Sequence, residues 1–337
     1  MNLDPAQPGS PVPPAGPIST PGPRRTYRAL HVASIVLILG GLGLVLLVLQ
    51  TNAGLLSGDV LLPDAGAALG ILALLLIGAA ALLVGLVMNA VRSIVARETL
   101  PPQRYRGPSI IVMWLLATIA ANIAVVSIAS DLATLLGGGV PTLFGTIVTL
   151  TVTQAGLLAA VALLVYAPQA LAGLRLLPGR GLLRSMLIGL GLAIPSWIGA
   201  QLIGYLTVRL LEPFGLQPEA GLAELALLNA DPVVLVVALV VVAPMAEEVF
   251  FRGAAFNAWE REYGTTRALY GSALMFAAVH GSIFFIPSIA ALGIVLGLLY
   301  RSTRSLPATM VLHAAFNGIT LTIALLSRFN VIDIPIT

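Results

Sequence analysis

The sequence predicts an all-α, polytopic transmembrane bundle of about eight to nine spans with its N-terminus in the cytoplasm. Three observations carry this. Of the 337 residues, 58% are hydrophobic and only 9% charged, with a mean hydropathy of +1.01, whereas a soluble domain carries about 25% charged residues. The apolar residues fall in runs near the ~20 residues that a helix needs to cross about 30 Å of hydrocarbon. The charges lie mainly between those runs and alternate in sign along the chain.

Residues 1–25 open the chain as a Pro-, Gly- and Ser-rich stretch. Such a composition buries too little apolar surface to fold and reads as a disordered cytoplasmic tail. Arg24, Arg25 and Arg28 then precede an apolar run to about Leu49. That run is longer than a signal-peptide core and lacks a small-residue cleavage site, so it is a first span. Further spans follow near 65–91, 108–130, 141–167, 184–208, 232–256, 268–285, 286–300 and 306–327. Pro287 divides the region 268–300 into two spans with almost no loop. Residues 26–180 form an N-terminal set of helices with no assigned role, and residues 184–330 a second unit.

Arginine supplies all 17 basic residues and sets the orientation. Arg92, Arg97, Arg104 and Arg106 lie after span two, and Arg175, Arg180 and Arg184 after span four. Arg261 and Arg267 follow span six, and Arg301 and Arg304 span eight. The alternate connections carry Asp59, Asp64, Asp131, Glu212, Glu219, Glu224 and Asp231, with Arg209 as their one basic residue. By the positive-inside rule the arginine-bearing loops are cytoplasmic. The all-Arg, Ala-, Gly- and Leu-rich composition suggests a GC-rich bacterium, and hence a multi-pass protein of a bacterial plasma membrane.

Composition also excludes chemistry. Cysteine is absent, which removes disulfides, thiolate metal ligands and a cysteine nucleophile. No serine sits in a Gly-x-Ser-x-Gly elbow. The basic residues cluster at span ends, which gives nucleic-acid binding no support.

The informative polar residues lie inside spans. Glu247-Glu248-Val249-Phe250-Phe251-Arg252 sits in the sixth apolar run. An acidic residue near a helix centre costs roughly 2.5–3.5 kcal/mol on insertion scales, so such residues face an interior or a wet cavity. Two of the three histidines lie in later spans, in Phe276-Ala-Ala-Val-His280 and His313-Ala-Ala-Phe-Asn317. At ~1.5 Å per residue, Glu247 and His313 come out about 8 and 10 Å from the cytoplasmic face, and His280 roughly 20 Å deep. Helix tilt absorbs that mismatch.

Spacing suggests roles. Glu248 and Arg252, four apart, share a face in the favourable order for an ion pair. Glu247 points about 100° away and is left free to face a cavity as a general base toward water. His313 and Asn317 stack on one face as donors for an oxyanion. His280 orients or helps deprotonate the water. A Zn²⁺ site of Glu247, His280 and His313 with an open fourth position is the alternative; otherwise no cofactor is expected. Asn122, Gln154 and Gln201 are assigned to interhelical hydrogen bonds, Asn89 to the interface, and Glu260, Arg261, Glu262 and Arg267 to a solvated loop. His31, beside three arginines, is interfacial with no catalytic role.

These motifs, Glu-Glu-x-x-x-Arg, Phe-x-x-x-His and His-x-x-x-Asn on separate late helices, closely resemble the CPBP family. Its members are intramembrane proteases related to the type II CAAX prenyl endopeptidase and to bacteriocin-immunity (Abi) proteins. Phe251-Arg252-Gly253 agrees with the family's Phe-Arg-Gly ending. The resemblance covers about residues 190 to 327 and identifies residues 184–330 as a CAAX-protease-like domain. It implies an endopeptidase in which Glu247 activates water with help from His280, His313 and Asn317 hold the oxyanion, and Glu248 and Arg252 support them. A membrane-embedded or lipidated peptide or protein would be the substrate, and the lipid bilayer the other partner. Two rivals are a non-enzymatic immunity or scaffold protein that binds a membrane-active peptide, and a proton-coupled transporter using Glu247 and His280. The intact motif residues weigh against the first. The lack of a second copy of the motif segment weighs against the second.

Overall fold

The computed structural model describes residues 25–51, 65–97, 100, 104–119, 154–159, 161, 181–216, 232–280 and 283–332. The described residues form helices and turns, with no strand among them. In chain order the helices are α1 (Arg25–Thr51), α2 (Ala65–Arg97), α3 (Ile110–Ile119), α4 (Leu182–Leu211), α5 (Pro232–Tyr263), α6 (Thr265–Ala278), α7 (Ile286–Thr303) and α8 (Leu306–Arg328). All but α3 and α6 contain a stretch long and apolar enough to cross a membrane, and the chain is a multi-pass, all-α membrane protein. The N-terminal tail and most of the expected spans 108–130 and 141–167 lie outside the described residues; the described parts of those two spans, Ile110–Ile119 and 154–159, are helical.

Helices in a bilayer gain little from leaving lipid, so close backbone approach and interhelical hydrogen bonds hold them together. Between α1 and α2 a Cβ at Gly41 would lie 2.5 Å from the Gly78 carbonyl oxygen and from the Leu82 nitrogen, so only glycine fits. Asn89 donates to Ser34 Oγ of α1 at 3.3 Å. The outer faces of α1, α2 and α4 expose Leu, Ile and Val, as lipid-facing surfaces do.

Two expectations are corrected. The helix expected over 268–285 is shorter. This helix, α6, ends at Ala278 after 14 residues, about 21 Å of rise against some 30 Å of hydrocarbon. The chain leaves the helix at Val279 and begins α7 at Ile286, with Pro287 in its first turn, where a missing N–H costs nothing. Nor do Glu260 and Glu262 lie in a solvated loop. They sit in the last turns of α5, which runs on to Tyr263 and stops at Gly264, φ +86°. There Arg304 grips Glu260 with both guanidinium nitrogens at 2.7 and 2.9 Å, and Arg97 binds Glu262 at 2.6 Å. Arg104 also donates to the carbonyl oxygens of Arg261 and Glu262.

These contacts hold Arg97 and Arg104 against the end of α5, and the core continues the join. Tyr105, Ile110, Met113, Leu157 and Val161 share one buried cluster with Phe250, Phe251 and Ala254 of α5, Phe276 of α6, Leu296 of α7 and Leu312 of α8. Among the described residues, these five positions from the first half of the sequence therefore pack around the interior through which α5 runs.

Candidate active site

α5 is irregular where it carries the two glutamates. Val236–Val242 and Val249–Phe256 are π-helical, bonding five residues back, and they flank the α-helical Ala243–Glu248. Such stretches are rare and recur at functional sites. Pro244 explains part of the irregularity. The Ala243 N–H bonds the Ala238 carbonyl in the five-residue register; the next donor in that register would be residue 244, a proline with no N–H. The stranded Leu239 carbonyl is taken up by α8: Asn317 Nδ2 donates to it at 2.8 Å. At the end of the second π stretch, Asn257 Nδ2 lies 3.0 and 2.9 Å from the carbonyls of Arg252 and Gly253.

The i, i+4 ion pair forms in full burial. Arg252 Nη1 donates to Glu248 Oε1 at 2.7 Å, and both side chains are 0% exposed. Arg252 Nη2 also donates to the Gly293 carbonyl of α7 at 3.3 Å, and its guanidinium lies 4.6 Å from the centre of the Phe276 ring. Cation–π contact, a backbone acceptor and the carboxylate together offset the desolvation of a charge that is otherwise expensive to bury. Gly293 allows α6 and α7 to approach closely there, since a Cβ would lie 3.0 Å from Ala273 Cα of α6.

His313 of α8 lies between the two carboxylates. Its Nδ1 is 3.0 Å from Glu248 Oε1 and its Nε2 is 3.9 Å from Glu247 Oε2. An ionised carboxylate only accepts, so Nδ1 carries a proton and donates. Glu247 keeps 14% of its side chain exposed, and its Oε1 accepts from Gln154 Nε2 at 3.1 Å. The residues assigned to an ion pair, a cavity-facing carboxylate and a histidine thus meet at one place.

His280 reaches this place by another route. It lies two residues beyond the end of α6, largely exposed, with Nδ1 donating to the Phe276 carbonyl at 2.7 Å. Its ring packs edge-on against Phe276 at 4.9 Å, and Phe276 in turn meets His313 at 5.5 Å. One phenyl ring therefore packs against both histidines. Among the described residues no hydrogen bond joins His280 to Glu247, and no three His, Asp or Glu side chains are placed to hold a metal ion. Each histidine directs Nδ1 to a protein oxygen, His280 to the Phe276 carbonyl and His313 to Glu248, which leaves Nε2 of each ring for other chemistry. Of the residues assigned to interhelical hydrogen bonds, Gln154 makes one, to the site residue Glu247, Gln201 is exposed, and Asn122 lies outside the described residues. Only its position in an apolar run marked Gln154 in the sequence.

Residues 229–319 match the family model of the type II CAAX prenyl endopeptidase Rce1-like proteins. The match contains every motif residue named above. Comparison with curated proteins and with solved structures found no match to this chain.

Proposed function

From the membership of residues 229–319 in the Rce1-like family of CAAX-type membrane proteases, we propose that this chain is an intramembrane endopeptidase that hydrolyses a peptide bond with water activated by Glu247. The observation that carries this reading is the placing of His313 between Glu247 and Glu248, 3.9 Å from the one and 3.0 Å from the other.

Charge balance gives each group its part. Glu248 and Arg252 neutralise each other, so the pair serves to fix the His313 ring through Nδ1. Glu247 takes a proton from water as the water oxygen bonds to the scissile carbonyl carbon. The carbonyl electron pair moves onto oxygen, and that oxyanion needs donors. Protonated His313 supplies Nε2–H and balances the charge of Glu247. Asn317 supplies its second amide N–H, the first being held by Leu239. When the tetrahedral species collapses, the C=O bond reforms and the C–N bond breaks. The departing amine takes the proton from Glu247. His280, through its free Nε2, orients the water.

The arginine-bearing loops place Glu247 and His313 in the cytoplasmic half of the bilayer, so the site opens toward the cytoplasm. The substrate class this reading takes is a membrane-embedded or lipid-anchored peptide, as a family of CAAX-type membrane proteases implies. The test is to purify wild type and Glu247→Ala in detergent and incubate both with membrane-anchored and prenylated peptides, reading products by mass spectrometry. Cleavage by wild type alone supports the reading; equal cleavage by both ends it.

A further inference from the structure

Gln154 belongs to the N-terminal half of the chain, outside residues 229–319. Residues 154–159 are helical, and Gln154, Leu157 and Val161 fall at i, i+3 and i+7, one stripe of a helix. All three are buried, at 7%, 6% and 4% exposure. Leu157 and Val161 join the core around Phe250 and Phe251. Gln154 does something else: its Nε2 donates to Glu247 Oε1 at 3.1 Å, while its own Oε1 is buried without a hydrogen-bond partner. A leucine would fill the stripe without stranding an acceptor, so packing alone does not account for an amide there.

We propose that Gln154 is a positioning residue for Glu247, holding Oε1 so that Oε2, on the His313 side, is the oxygen that receives the proton from water. The inference rests on Glu247 as general base. The amide orientation follows from chemistry, because a carbonyl oxygen turned toward an ionised carboxylate would repel it, whereas N–H···O⁻ is a charge-assisted bond. One Glu247 oxygen is thereby occupied from the N-terminal half, and the other is left for reaction. The catalytic carboxylate is set by a part of the chain that the family match does not include.

The test compares wild type, Gln154→Met, which keeps length and loses the donor, and Leu157→Ala, which weakens the same stripe without touching Glu247. Two readouts are taken on full-length protein in detergent. The first is isotope-edited infrared absorption of the Glu247 carboxyl, identified as the band missing in Glu247→Ala; it needs no substrate. The second is kcat and KM on an internally quenched farnesylated peptide and on an unmodified transmembrane peptide. Gln154→Met is expected to move the Glu247 band and to lower kcat about tenfold or more with KM unchanged. Leu157→Ala is expected to leave the band and kcat as in wild type while lowering the melting temperature. An unmoved band in Gln154→Met overturns the proposal, as does a kcat loss matched by Leu157→Ala. If Gln154→Met does not fold, Gln154→Glu keeps shape and polarity but brings an acceptor to Glu247; wild-type behaviour of that variant also overturns it. Cleavage of neither peptide by wild type counts against the proteolytic reading, while the infrared band still decides the contact.

Discussion

His313 Nδ1 lies 3.0 Å from Glu248 Oε1, a carboxylate that Arg252 already holds at 2.7 Å. The histidine that faces Glu247 is therefore oriented by a buried ion pair rather than by packing alone. Fixing one ring nitrogen on a second partner is how proteins set which nitrogen is available for chemistry. Adjacent glutamates on one helix thus take different work.

Loss of Glu247 or of His313 should lower turnover severely without unfolding the protein. Glu247→Gln and His313→Ala are each expected to lower cleavage by at least the ~10²–10⁴-fold that a general acid or base contributes, with monodisperse elution in detergent retained. Activity within a few-fold of wild type in either variant would remove that residue from the mechanism.

Removing one partner of the buried pair should be severe. Arg252→Met leaves Glu248 buried with His313 as its remaining partner and removes its counter-charge, which costs about 3–5 kcal/mol. Replacing both, as Glu248→Leu with Arg252→Leu, should recover part of that stability and none of the activity, because His313 loses its anchor. Thermal unfolding in detergent gives the comparison, and a double variant no more stable than Arg252→Met would show that the charges are not what holds the site.

Asn317 has two duties that one substitution can separate. Asn317→Ala gives up the bond to the Leu239 carbonyl, worth about 1 kcal/mol. As an oxyanion donor it should also lose roughly 10²–10³-fold in kcat. A lower melting temperature with near-normal kcat would assign Asn317 to the π-helical turn alone.

Metal removal addresses the remaining alternative. With no three donors brought together among the described residues, protein stripped by chelator is expected to cleave at the untreated rate. Activity lost in chelator and restored by added Zn²⁺ would refute the metal-free mechanism.

Gly293→Val is expected to push α6 and α7 apart, since even a Cβ would meet Ala273 Cα at 3.0 Å. Phe276 would move with α6, and with it the ring against which both histidines pack. A lower melting temperature together with reduced cleavage is the expected outcome; unchanged cleavage would mean that the Phe276 bridge is dispensable.

Sequence alone determined the class of the protein, because apolar run length and charge distribution are local properties that a bilayer reads directly. It also singled out the motif residues, since an ionisable group within an apolar run is costly and therefore conspicuous, and the spacing of four put Arg252 on the face of Glu248. Only the tertiary structure decided the contacts between helices. Nothing in the run 268–285 announced that α6 stops at Ala278, for residual hydropathy continues past the point where the backbone turns. The pairing of Glu260 with Arg304 and of Glu262 with Arg97 joins residues far apart in sequence, so those charges read as loop residues until the helices were docked. Gln154 and Asn317 make the same point inside the bundle. Each is an amide in an apolar helix, and which oxygen it serves, Glu247 Oε1 or the Leu239 carbonyl, depends on which helix lies opposite.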